Sequence, residues 1–335
     1  MIGYYIHHHG SGHLNRAAII CAHLRQRVVA LTSLDIPRPH PFATVLRLPR
    51  DDGDARSAEP SANGALHWAP HHDNGLRTRM GIIARWVEET RPAAVVVDVS
   101  VEVALFVRLL GVPVIVMTMP GERTDGPHAL VHQLADHIVA AWPRELYEPE
   151  WLRPHAAKTS YVGGISRFED HDVLSSAQNR TSVLVLGGKG GCDFDQATVD
   201  TTAAQIPEID WKALGLRGGR RKTDPWPDIC AADIVITHAG QNCVADVAAA
   251  RRPAIVLPQA RPFNEQYITA DMLVRHGLAV ATSGWPDANA WRSLIWQAQA
   301  SDPSRWHRWH IAGAATRAAK AIETTASQYT EITTL

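Results

Sequence analysis

Cysteine is scarce in this chain. Four occur in 335 residues, at positions 21, 192, 230 and 243, and no two form a C-x-x-C pair. No disulfide framework is indicated, and the expected compartment is a reducing cytoplasm. Long apolar runs are missing too. None approaches the roughly 18–20 apolar residues needed to span a bilayer, and His7 breaks the first run before it resembles the core of a secretion signal. Charge of one sign is also absent: 33 basic residues face 34 acidic ones, for a net charge of −1. That excludes a global field recruiting nucleic acid or an acidic membrane, and the basic run Arg217–Lys222 reads as a solvated loop. What remains, 45% hydrophobic and 20% charged residues, describes a soluble globular protein. The length exceeds one ordinary core, so two domains are expected. Trp285, Trp291, Trp296, Trp306 and Trp309 crowd the C-terminal part, where helical packing explains them.

The densest signal is Ile234–Leu273. An apolar run, Ile234–Thr237, ends at His238, and a turn of small residues follows, Ala239-Gly240-Gln241-Asn242. Val244–Ala250 is a run of helix formers stopped by Pro253, and a second apolar run, Ala254–Leu257, ends at Pro258. Strand, glycine turn, helix and strand make one βαβ unit. Its turn aims backbone N–H groups and the positive end of a helix above the sheet, a place suited to phosphate. The second strand leads to Asn264, Glu265 and Gln266, whose side chains can bind hydroxyls. A diphosphate site beside such a loop points to a nucleotide sugar.

This segment resembles the donor-binding region of GT-B glycosyltransferases, the class that includes MurG-type enzymes and UDP-glycosyltransferases. His238-Ala239-Gly240-Gln241-Asn242 is similar to their H-G-G-x-N turn. Asp246 stands where the family has a carboxylate holding the ribose, and Glu265-Gln266 where a residue pair contacts donor-sugar hydroxyls. The departures are Ala239 for Gly, Asp246 for Glu and Glu265 for the commoner Asp or Gln. The resemblance is close here and looser over much of the chain. It implies an α/β architecture of two doubly wound, Rossmann-like parallel-sheet domains facing across a cleft. Residues 1–160 would bind acceptor and 161–310 donor, with a terminal helix within 304–330 crossing back and a hinge near 155–170.

In the first half, Ile2–Ile6 reads as a strand, Leu14–Gln26 as a helix and Val28–Leu31 as a strand. The glycine-rich turn between the first two lacks the third glycine of G-x-G-x-x-G, because Asn15 stands there, which argues against a dinucleotide. His7, His8 and His9 at a strand end alternate faces and so cannot all bind one ion; no metal is expected. The GT-B families carry a G-x-G-H turn here. The resemblance therefore assigns Gly12 to the donor side and His13 to the catalytic base, chemistry that histidine suits near neutral pH. A capping or packing histidine is the plain alternative. Val45–Leu48 reads as a strand and residues 49–74 as a long loop, either one from which Trp68, His71 and His72 reach acceptor or a disordered excursion without a role. A helix over Gly75–Glu89 leads to the strand Ala93–Val97. Asp98 after it resembles the carboxylate that orients the catalytic histidine; alternatively it caps the helix Val99–Leu110. Pro113–Thr118 and His137–Ala141 read as strands, Glu122 between them as an acceptor contact, and 142–158 as a connector.

In the second half, Ser182–Leu186 reads as a strand before Gly187-Gly188-Lys189-Gly190-Gly191. A phosphate loop of a nucleoside triphosphatase would need Lys-Ser or Lys-Thr after the glycines, and Cys192-Asp193 follows instead. In the resemblance, Gly188 and Lys189 face the donor diphosphate; a solvated lysine is the plain alternative. Asp193–Gln205 reads as a helix and Trp211–Gly215 as a strand. Thr223–Ala232 matches the family's base-binding stretch, with Trp226 either stacking on the nucleobase or packing in the core. Gly277–Thr282 reads as a strand, and Pro286–Ser301 and Trp306–Ser327 as helices. Taken together, the resemblance implies an inverting, metal-independent hexosyltransferase without cofactor, moving a sugar from a nucleotide-diphosphate sugar, with UDP as first choice, to an acceptor hydroxyl. An epimerase or hydrolase of nucleotide sugars on the same fold, or a non-catalytic binding subunit, are the alternatives.

Overall fold

Runs of β-branched residues, separated by glycine turns and helix formers, build two all-parallel sheets. The computed structural model describes residues 1–10, 12–52, 59–173, 180–188 and 191–332. In the first lobe the strands are β1 (Ile2–Ile6), β2 (Val28–Thr32), β3 (Thr44–Arg47), β4 (Ala94–Asp98), β5 (Val114–Thr118), β6 (His137–Ala140) and β7 (Thr159–Tyr161). Its helices are α1 (Gly12–Cys21), α2 (Asn74–Thr90), α3 (Val101–Leu109) and α4 (Gly126–Leu134). The second lobe holds β8 (Ser182–Leu186), β9 (Asp210–Leu214), β10 (Ile234–Thr237), β11 (Ala254–Val256) and β12 (Val280–Ala281). Around them lie α5 (Gln196–Gln205), α6 (Trp226–Ala231), α7 (Gln241–Ala250), α8 (Glu265–Arg275) and α9 (Ala288–Gln299), and α10 (Ala314–Ile332) follows.

The central strands β1, β2, β4, β5 and β8 are buried along their whole length, as parallel strands covered by helices on both faces must be. The first sheet runs β3-β2-β1-β4-β5-β6-β7 and the second β12-β11-β10-β8-β9. Strand order therefore reverses between β1 and β4 in one lobe and between β8 and β10 in the other. Helices leaving these neighbours go to opposite faces, and the crevice at the carboxyl ends of the strands is where doubly wound sheets bind ligands. Asp73, Ser100, Asp125, Asp195 and Asp287 cap α2, α3, α4, α5 and α9 by accepting N–H groups of the first turn.

Several boundaries differ from the sequence reading. The first helix stops at Cys21 rather than Gln26, because His23 and Leu24 turn back with bonds to Ile20 and Cys21, three residues earlier. Helix α4 was not anticipated, although Asp125 and Pro127 mark its start. Strand β7 is three residues long, too short for a periodic signal. The helix expected over Trp306–Ser327 is divided. Trp306 and Trp309 lie in a 3-10 turn, Pro303–Trp309, within the second lobe's core. His310 and Gly313 then take positive φ angles of 52° and 73°, and α10 starts afresh. Its Ala314, Ala315, Ala318, Ala319, Ile322 and Ala326 share one core with Ile2, Tyr4, Ala17 and Ile20 of the first lobe. Among the described residues no helix is long and apolar enough to cross a membrane, and all four cysteines are free.

The alanine row of α10 lets it lie close against α1 and the first sheet. Ala318→Leu adds volume where exposure is nil; it is expected to lower stability by about 1–3 kcal/mol, read as an earlier urea midpoint with an unchanged slope.

Candidate active site

At the reversal in the first lobe, Ile6 of β1 pairs with Asp98 at the end of β4. His13 lies in the first turn of α1, the helix that leaves β1. The two side chains meet: His13 Nδ1 is 3.0 Å from Asp98 Oδ1. One turn along α1, Arg16 donates from Nη2 to Oδ1 at 2.6 Å and from Nε to Oδ2 at 3.3 Å. Asp98 has no exposure at all. Burial alone would raise its pKa, but the Arg16 charge and then His13 outweigh burial and hold it at about 2. A permanent carboxylate at Nδ1 selects the tautomer with its proton there and leaves Nε2 as the acceptor. Val99, the next residue, has φ +78°, a strained angle for a β-branched side chain.

The three neighbouring histidines correct an expectation. Strand β1 ends at Ile6 and the chain bends over residues 8–10, so face alternation stops before them. His8 and His9 both bring Nε2 to 3.4 Å from Asp52 Oδ2. Arg50 grips both oxygens of the same carboxylate, and Arg79 holds Asp51 at 2.5 Å. Face alternation therefore does not separate His8 from His9, which with Asp52 bring ligand atoms close enough to hold an ion, while His7 is outside that group. The arginines are what neutralise the carboxylates beside them.

At the reversal in the second lobe, Thr237 of β10 pairs with Leu186 of β8. His238, buried, accepts the Gly240 N–H on Nδ1 at 3.0 Å, and burial pushes its pKa down to about 4, so it is neutral. A Cβ on Gly188 would stand 2.5 Å from His238 Nε2, and one on Gly240 would strike Cε1. The imidazole is wedged between the two turns and leaves room for glycine only. It holds the two turns in place. Ala239 is buried beneath it. Gly240 is the N-cap of α7 and has no side chain to offer, so among the described residues no side-chain cap bond is made there, unlike in α2, α3, α4, α5 and α9. Lys189 lies outside the described residues.

The two turns touch across the cleft. Gln241 Oε1 accepts from Arg16 Nη1 at 2.6 Å, and Asn242 Nδ2 donates to the Gly12 carbonyl at 3.2 Å. Glu265, at the start of α8, lies 3.6 Å from Arg123 of the first lobe. Burial raises its pKa, against the pull of Arg123 and Arg16. Glu122 accepts from Asn264 Nδ2 at 3.0 Å, while its N–H donates to the Phe263 carbonyl at 2.8 Å.

Other expected contacts fall elsewhere. Asp246 is buried, with one oxygen accepting from Ser166 at 2.9 Å and the other 3.3 Å from Arg167. Its carboxylate is taken by the segment joining the lobes and is not free for a ribose. Trp226 is 4% exposed, packed against Phe168 and His171 with centroids at 4.8 and 5.5 Å. It is a core residue and presents no open face for a base. Gln266 points inward, accepting from the Gln259 N–H at 3.0 Å with Nε2 3.3 Å from His238 Nδ1. Trp68 donates through Nε1 to the Asp51 carbonyl at 2.6 Å and through its backbone N–H to Glu102 at 2.9 Å. His71 is exposed beside His72, apart from this network. Arg16 had no assigned role from the sequence, and Arg123 was read only as part of the cleft-facing segment Met119–Arg123 that could contact acceptor. The fold pairs Arg16 with Asp98 and Gln241, and Arg123 with Glu265.

Residues 224–283 match the family described as Glycosyltransferase family 28 C-terminal domain. A relative from Alkaliphilus metalliredigens (strain QYMF), the UDP-N-acetylglucosamine--N-acetylmuramyl-(pentapeptide) pyrophosphoryl-undecaprenol N-acetylglucosamine transferase, is 28% identical over 140 residues. That match covers 35% of this chain and 38% of the relative. MurG of Acinetobacter baumannii superposes with a TM-score of 0.62 at 15% identity, over 96% of this chain and 99% of that one. UGT2 of Phytolacca americana, solved with UDP-2fluoro-glucose and pterostilbene, gives 0.65 at 16% identity, over 98% and 99%. The chain has the GT-B fold. The family 28 match falls on the GT-B second lobe, from just before α6 to just past β12, and includes the uncapped start of α7.

Asp246 supplies a test of this geometry. Burial raises its pKa from 3.8 to about 6 even with Arg167 near. It therefore binds its proton more tightly folded than unfolded. Its contribution to stability is largest below pH 4 and is lost as pH rises through 6. Relative to Asp246→Asn, the wild type should lose on the order of 3 kcal/mol between those limits, measured by urea titrations at fixed pH. Parallel pH profiles would show that the carboxylate is not buried as described.

Proposed function

We propose that this protein is an inverting, metal-independent glycosyltransferase, which moves a hexosyl group from a nucleotide-diphosphate sugar, UDP-linked by preference, to an acceptor hydroxyl. One observation carries the reading: the His13–Asp98 pair stands across a narrow cleft from the uncapped start of α7. A hydroxyl held between them loses its proton to His13 Nε2 as its oxygen attacks the anomeric carbon. The bond from that carbon to the diphosphate breaks, and the nucleotide leaves with the electron pair. Asp98 stabilises the imidazolium that forms. A single displacement inverts the anomeric centre.

The leaving diphosphate sits on the turns at Gly188 and at His238–Asn242, where the α7 N–H groups meet its growing charge. Fixed donors of this kind contribute several kcal/mol in a dry site, which makes a metal unnecessary. Glu265 binds a donor-sugar hydroxyl, and Gln266 holds the turn behind it. Residues 1–160, through Glu122 and the loop bearing Trp68 and His71, take the acceptor; residues 161–310 take the donor. The free cysteines suit a reducing cytoplasm.

Release of UDP from UDP-sugars, with and without acceptor alcohols, tests the reading. Release that needs an acceptor supports transfer, and release without one points to hydrolysis. His13→Ala is expected to lower kcat by about 100-fold or more while calorimetry finds UDP affinity nearly unchanged; retained turnover removes His13 as base. Glu265→Ala should blunt discrimination among UDP-sugars with free UDP bound normally. Chelation by EDTA should leave the rate as it was, and a loss restored by Mg²⁺ would contradict metal independence.

A further inference from the structure

Arg16 is a buried cation shared between the lobes, with 3% of its side chain exposed. Nε and Nη2 grip the two oxygens of Asp98. Nη1 reaches Gln241 Oε1 at 2.6 Å and Met119 Sδ at 3.1 Å, and Nη2 lies 3.3 Å from His13 Nδ1. Tyr4 on β1 and Glu265 on α8 are the further titratable groups acting on it, and the His7 ring lies 5.9 Å from that of His13. Taking a guanidinium out of water costs several kcal/mol unless good partners replace the water. Here one carboxylate and one amide oxygen do so, and they belong to different lobes.

We propose that Arg16 is a positioning residue that ties the start of α7 to the Asp98–His13 pair, so that seating of the donor lobe and alignment of the base are one event. A guanidinium is planar and its donors keep a fixed fork. Once two of them hold Asp98, the direction of the third is set, and Gln241 meets it at one lobe angle. Swinging the donor lobe away exposes Nη1 to water. Bringing it back immobilises the carboxylate that orients His13. The catalytic consequence rests on the transferase reading above; the latch itself stands on the geometry.

Arg16→Lys keeps a positive charge beside Asp98 but lacks the fork, and Arg16→Met removes the charge. Spin labels at Leu109→Cys and Trp296→Cys, 75% and 70% exposed and on different lobes, report the interlobe distance, with the unsubstituted protein as labelling control. Arg16→Lys should broaden or lengthen that distance while retaining a cooperative thermal transition. It should also lower kcat at least about tenfold with acceptor KM within about twofold. An unchanged distance distribution in a folded Arg16→Lys protein overturns the latch, whatever happens to kcat. If Arg16→Met fails to fold, Arg16→Lys decides alone. A widened distribution in a protein whose wild type transfers no sugar supports the latch and defeats the transferase reading instead.

Discussion

The site depends on one carboxylate that water never reaches. Asp98 ends a strand in the middle of a seven-stranded sheet, at the point where strand order reverses. An isolated carboxyl in that place would take up a proton rather than stay charged. Arg16 makes the charge tolerable, and both residues are placed by β1 and β4 running side by side. His13 then has no freedom to choose its orientation. The chemistry proposed for the cleft is a by-product of how an ion pair is accommodated between a strand end and the first turns of a helix.

The donor lobe solves a different problem with the same topology. It keeps a helix start empty of capping side chains while the turn before it stays rigid. His238 does this by filling the space that side chains on Gly188 and Gly240 would take, with Gln266 and the Gly240 N–H fixing its ring. The result is a helix start without a side-chain cap, supported by a neutral, buried imidazole. Any residue larger than glycine at either position must push the support aside.

Much of this was legible in the sequence, and for a physical reason. Apolar runs of four or five residues ending in glycine turns mark parallel strands and the start of the next helix, so β1, β4, β8 and β10 and their turns were found. The pairing of His13 with Asp98 came from the resemblance to GT-B families, which carry a histidine in the first glycine turn and a carboxylate at the end of the neighbouring strand. Depth was not legible. Asp246, Trp226 and Gln266 sit at positions where a helix or turn can face either the cleft or the core, and the connector at Ser166 and Arg167 and the rings of Phe168 and His171 decide which. The alternation rule misled at His7–His9 because the strand had already ended. Arg16 was invisible as a functional residue because its partners lie 82 and 225 positions away.

The route of α10 has a consequence for how the molecule is made. The first lobe's core is closed by alanines and an isoleucine that follow the whole second lobe in the chain. During synthesis the first sheet must therefore wait with one flank bare until the last helix leaves the ribosome. Two chain crossings then run side by side, Gly163 and Gly164 against Trp309 and His310. Paired straps so close together permit bending about the line they define and resist twisting about any other axis.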